Sequence, residues 1–102
     1  MSSKRMPLSH PGETLLQDFL EPLGITQYRL AKELRVPQTR IGEIVRGERS
    51  ISPDTALRLS RFFGMSDGFW VNLQAHYDME MEKDRLGNEL THIKRYVSTN
   101  AD

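Results

Sequence analysis

The residues best able to do chemistry in this chain lie between Gln27 and Arg49, and their chemistry is hydrogen bonding rather than bond breaking. Ile41, Ile44 and Val45 recur at i, i+3 and i+4 and define the inner stripe of a short helix, which turns Gln38, Thr39, Gly42, Glu43 and Arg46 outward. Short polar side chains beside arginines suit the major groove of DNA, where Gln and Arg match the donor and acceptor edges of bases. Gln38 and Thr39 occupy the first turn, the end that enters the groove in such an arrangement, and are the leading candidates for base contact. Arg40 could read guanine or hold a phosphate, and Glu43 could accept from cytosine or disfavour wrong bases. Gln27 stands at the N-terminus of the preceding helix, where side chain and helix-end amides meet a backbone phosphate. Arg46 and Arg49 complete the phosphate candidates. The competing reading of each is ordinary helix surface.

Catalysis finds little support. His10, His76 and His92 are the only histidines, and cysteine is absent. His76 and Glu80 have the i, i+4 spacing of two metal ligands, but no third ligand accompanies them. There is no glycine-rich phosphate loop and no HExxH, so neither an enzyme nor a metal or cofactor site is expected. His10 is assigned to the start of the first helix.

The elements that position the polar face are helices punctuated by turn residues. Ser9 and Pro11 open a helix through Leu15, Leu16 and Phe19 that is expected to end near Glu21 and Pro22. Thr26 caps a second, carrying Leu30, Ala31 and Leu34, and a tight turn leads to the third, which Gly47 ends. Those two form a helix-turn-helix. Ser52 and Pro53 start a fourth with Leu57, Leu59, Phe62 and Phe63, and Ser66 and Asp67 a fifth with Phe69, Trp70, Leu73 and Tyr77. That fifth helix continues exposed until Gly87 and Asn88, and the tail LTHIKRYV reads equally as edge strand, packed arm or extension. The fold class is all-α, with an arm over residues 1–8, a helix-turn-helix domain over 9–85 and an extension over 86–102.

With 102 residues there is room for one domain of modest stability, which association with a second chain would help. Lys4 and Arg5 lead into Met6 and Pro7 rather than an apolar run, and no stretch approaches a membrane span. A soluble, cytoplasmic protein without membrane partners is the expectation. Net charge is zero, yet residues 1–62 hold ten Lys and Arg against seven Asp and Glu, while residues 63–102 hold four against seven. The basic side carries the helix-turn-helix, where Arg29, Lys32, Arg35, Arg40, Arg46 and Arg49 could neutralise phosphates. Asp78, Glu80, Glu82 and Asp84 could attract a basic partner, although a solvated helix end explains them as well.

The segment TQYRLAKELRVPQTRIGEIVRGERSISPDTALRLSRFFG resembles the Xre and Cro/C1-type (lambda-repressor-like) helix-turn-helix, with Gln27, Ala31, Ile41 and Gly47 at its diagnostic positions. The flanking blocks SHPGE, EPLGIT and MSDGFWVNLQAHYDM are similar to the HigA or VapI-like antitoxin family, over roughly residues 8–82. The resemblance implies a five-helix fold, a homodimer, repression of its own operon by binding operator DNA, and a HigB-type toxin that cleaves messenger RNA as partner. A stand-alone Xre-type repressor without a toxin is the alternative. Two features depart from the pattern: Pro37 stands where Ser or Thr often caps the recognition helix, and Gly42 lies inside it. Gly42 reads either as close approach to DNA or as a tolerated exposed position. Phe69, Trp70, Leu73 and Tyr77 read either as monomer core or, with adjacent Phe69 and Trp70 projecting about 100° apart, as a dimer seam.

Overall fold

The computed structural model describes residues 8–98, so the expected N-terminal arm lies, but for Leu8, outside the described residues. Within them the chain forms five helices and no strand. Helix α1 runs without a break through Pro11–Thr14, Leu15–Leu20 and Glu21–Leu23; α2 is Gln27–Leu34, α3 Gln38–Val45, α4 Pro53–Phe63 and α5 Phe69–Leu86, followed by 3-10 turns over Gly87–His92.

Local chemistry explains the boundaries. Pro11 takes the first helical position, where its missing N–H is harmless, so the cap falls on His10 rather than Ser9: His10 Nδ1 accepts from the Gly12 N–H at 2.9 Å. Pro22 lies inside α1, and a proline crowds the carbonyl four residues before it. The stretch Leu15–Leu20 ahead of it is π-helical, with the Glu21 N–H reaching back to the Leu16 carbonyl, and this wider winding lets α1 run past the expected stop to Leu23. Thr26 caps α2 through a 3.0 Å bond from the Arg29 N–H, and Ser52 caps α4, both as the sequence predicts. Helix α3 begins directly after Pro37 with no side-chain cap. Helix α5 starts later than Ser66 and Asp67 imply, with Gly68 as its uncapped entry.

Every helix contributes to one core: Leu15 and Leu20 from α1, Leu30, Ala31 and Leu34 from α2, Ile41 and Ile44 from α3, Ala56 and Leu59 from α4, and Trp70 from α5. Trp70 has no exposed surface; its ring lies 5.0 Å from Phe19, 5.1 Å from Phe69 and 6.4 Å from Phe63. This corrects its expected place in a dimer seam, because a side chain enclosed by its own chain has nothing to offer a second one. Leu73 and Tyr77 are partly buried against the same domain, and of the four only Phe69 is exposed. In α4 the inward residues are Thr55, Ala56, Leu59 and Ser60, while Leu57 is half exposed.

Gly12 fixes how α1 meets α3. A Cβ built there would sit 1.7 Å from the Ile44 carbonyl oxygen, so the two backbones touch at a point no other residue fits. Beyond Tyr77, α5 leaves the core, and Gly87 at φ 54° ends it. Residues 93–98 form neither helix nor strand, and Ile93, Tyr96 and Val97 are exposed. The radius of gyration is 18.0 Å, against about 13 Å for a compact 100-residue domain, because α5 and the tail project. Among the described residues no helix is long and apolar enough to cross a membrane.

Candidate DNA-binding face

Helix α3 is anchored through Ile41 and Ile44 and exposes Gln38 and Thr39 from its first turn. Gln27, at the first position of α2, is brought beside them. With Gly42 and Arg46 these residues line an open cleft of about 260 Å³. Gly42 itself is buried, which overturns its expected outward position: the Gln27 and Arg46 side chains cover it, and a Cβ there would lie 3.1 Å from an Arg46 guanidinium nitrogen and 3.7 Å from Gln27 Oε1. Its glycine therefore allows two candidate DNA-contacting side chains to converge over α3.

The remaining candidates are held by carboxylates. Arg40 is turned from the Gln38 face onto α4, where one guanidinium nitrogen lies 3.3 Å from Asp54 and 3.4 Å from Thr55 Oγ1. Arg49 pairs with Glu43 at 2.8 Å and Arg46 with Glu48 at 3.2 Å. Sequence spacing shows none of these pairings, since Arg49 and Arg40 meet their partners across loops. These are exposed pairs of small stabilising value, which a phosphate can displace.

Two positioning residues were not singled out by sequence reasoning. Gln74 is buried; its Oε1 accepts from the Ile51 N–H at 2.8 Å and its Nε2 donates to Asp78 at 3.0 Å, tying the loop after α3 to α5. Its signal was a polar residue four positions after Trp70, at core spacing. Gly12 is the other, and only the helix crossing exposes its role. His10 sits where α1, α5 and the exit of α3 meet, edge-on to Tyr77 at 5.1 Å and 3.7 Å from where a Gly47 Cβ would lie. Burial pushes its pKa below the ordinary histidine value, against an opposing pull from Asp78. No group of three or more His, Asp or Glu side chains among the described residues is arranged to hold a metal ion.

A family model described as helix-turn-helix matches residues 16–70, from within α1 to the start of α5. Virulence-associated protein I of Dichelobacter nodosus is 49% identical over 81 residues, covering 78% of this chain and 75% of that protein. An addiction module antidote protein of the HigA family from Coxiella burnetii superposes with a TM-score of 0.83 at 39% identity, covering 89% of this chain and all of the other. PA4674 of Pseudomonas aeruginosa, solved in complex with its operator DNA, superposes with a TM-score of 0.86 at 37% identity, over 92% of this chain and all of that one.

Proposed function

Because the chain belongs to the Xre-type helix-turn-helix family of HigA and VapI-like proteins, we propose that it is an antitoxin that binds operator DNA as a homodimer, represses its own operon and neutralises a HigB-type toxin. The observation that carries the DNA part is the convergence of Gln27, Gln38, Thr39 and Arg46 around Gly42 at the outward end of an anchored helix. Gln38 and Thr39 reach base edges in the major groove. Gln27 fixes the register against a phosphate, and Arg46, Arg49 and Arg40 exchange their carboxylates for phosphate oxygens on docking. The similarity to a protein solved on its operator supports the reading. A second copy covers the apolar residues that project beyond the core, among them Met79, Met81, Ile93 and Tyr96, and sets two α3 helices on successive major grooves.

Binding to a duplex from upstream of the protein's own gene, set against a scrambled duplex, tests the DNA part. Replacing Gln38 and Thr39 with Ala is expected to weaken operator binding by about 1 to 3 kcal/mol per lost base contact and to spare scrambled DNA. Affinities for the two duplexes that fall together contradict the base-reading role. Co-expression with the product of an adjacent small basic reading frame tests the antitoxin part: a stable complex and suppressed messenger RNA cleavage are expected. If no such frame exists or no complex forms, the stand-alone repressor is the correct reading.

A further inference from the structure

Leu57 belongs to the apolar content of α4, yet the core takes Thr55, Ala56, Leu59 and Ser60 from that helix and leaves Leu57 half exposed. Leu57, Arg58, Arg61 and Phe62 stand at i, i+1, i+4 and i+5, which puts them on one side of α4. That side meets the end of α2, where Glu33 and buried Leu34 complete an open groove of about 400 Å³. The DNA-binding reading gives this groove no role.

Its lining combines apolar side chains with two arginines. Leu34, Leu57 and Phe62 supply the apolar part. Arg58 is fixed beside them, donating from one terminal nitrogen to the Leu34 carbonyl at 2.8 Å and from Nε to Asp54 Oδ1 at 2.7 Å. Arg61 is exposed and forms no ion pair or side-chain hydrogen bond with any described residue. The one carboxylate of the lining, Glu33, already faces Arg29 at 3.7 Å. Six residues line the groove, against roughly 20 to 30 on each side of a stable protein interface, while its volume falls within the roughly 300 to 1,000 Å³ of small-molecule sites. A small molecule with an apolar body and a negative charge is the occupant that fits.

We infer that this groove binds a small amphipathic carboxylate, its apolar chain against Leu34, Leu57 and Phe62 and its carboxylate between Arg58 and Arg61, and that occupancy loosens the operator complex. Guanidinium groups take carboxylates in charge-assisted, often paired hydrogen bonds. The link to the DNA-binding face is Asp54. Its Oδ1 accepts from Arg58 at 2.7 Å and from Arg40 at 3.3 Å, and the hydrogen bond from Arg58 is the main cause that holds the Asp54 carboxyl below its ordinary pKa. A ligand carboxylate that draws Arg58 away leaves this oxygen to Arg40, which fastens the Arg40 guanidinium to α4 and withholds it from DNA. This regulatory part rests on the operator-binding reading, whereas the ligand site stands without it.

Calorimetric titration of the whole chain with octanoate, kept below its micelle concentration, tests the site, with octanol and acetate as controls for charge and chain. One saturable site per chain is expected, and both controls should bind at least about tenfold more weakly. Arg61→Gln and Leu57→Asn, exposed substitutions that spare the core, should each weaken octanoate about tenfold. No saturable binding, octanol binding as tightly as octanoate, or wild-type affinity in both variants overturns the site. A lower mass of Leu57→Asn in light scattering gives the groove to a second copy and overturns it too. Saturating octanoate should weaken binding to the upstream duplex about two- to fivefold in the wild type and not in Asp54→Asn, a small effect because exposed ion pairs are individually weak. Operator affinity unchanged by saturating octanoate overturns the link through Asp54 and leaves the operator reading standing. A wild-type protein that binds neither the upstream nor the scrambled duplex overturns the operator reading and the link together, while the titration still decides the site.

Discussion

His10 shows how much one side chain can connect. Its Nδ1 caps α1, its ring packs on Tyr77, and it borders the exit of the recognition helix. A ring whose Nδ1 accepts from an amide must be unprotonated at that nitrogen, and burial lowers its pKa in the folded chain. As pH falls, the unfolded chain therefore binds the proton first. The stabilisation is complete above the ordinary histidine value of about 6.5 and is lost as pH drops from there through the folded value. His10→Asn keeps a capping oxygen without the titration, so its denaturant midpoint should change less than the wild type's between pH 7.5 and 5.5; parallel curves would exclude His10 as the source. Gly12 makes a simpler case. Gly12→Ala forces a methyl group into the Ile44 carbonyl and is expected to lower stability by roughly 1 to 3 kcal/mol, despite alanine's better helix propensity. A stabilised variant in urea titration would show that α1 and α3 can separate freely.

Between elements, the link that matters most to the DNA-binding face is Gln74, which secures the loop following α3 from a distant helix. Gln74→Leu preserves bulk but leaves the buried Ile51 N–H without an acceptor, at a cost of about 1 to 3 kcal/mol. Because Arg49 lies in that loop, the same variant should bind DNA with a shallower salt dependence at temperatures where it remains folded. An unchanged salt slope in a destabilised variant would confine Gln74 to stability. At this scale the sequence was largely readable: Thr26 and Ser52 capped their helices, and the spacing of Leu30, Ala31, Leu34, Ile41 and Ile44 marked the buried faces. The length of α1 was not readable, since Pro22 signals a stop and only the π-helical turn absorbs it.

For the whole molecule the question is assembly. Trp70 belongs to the core, so Trp70→Glu should unfold the chain rather than produce a folded monomer, visible as loss of helical circular dichroism. The projecting end of α5 and the tail expose Met79, Met81, Leu90, Ile93, Tyr96 and Val97 without contributing to the core. A chain ending after Leu86 should stay folded. If the tail forms part of the two-fold seam, that chain will show lower mass in light scattering and weaker operator binding, because each half-site loses its tethered neighbour. Unchanged mass would place the seam nearer to Phe69 or on α1.

The linear order of residues determined the helix-turn-helix, its outward Gln38 and Thr39, and the basic half that carries them, because helix periodicity, capping and charge are local properties that spacing displays directly. Tertiary structure decided matters that depend on distance through space. It enclosed Trp70, buried Gly42 under Gln27 and Arg46, and turned Arg40 onto Asp54. It also gave Gly12 and Gln74 their roles, through a helix crossing and a bond spanning 23 residues. Periodicity gives the direction of a side chain from its own axis. Which element waits in that direction, and how closely, is settled only when all five helices share one core.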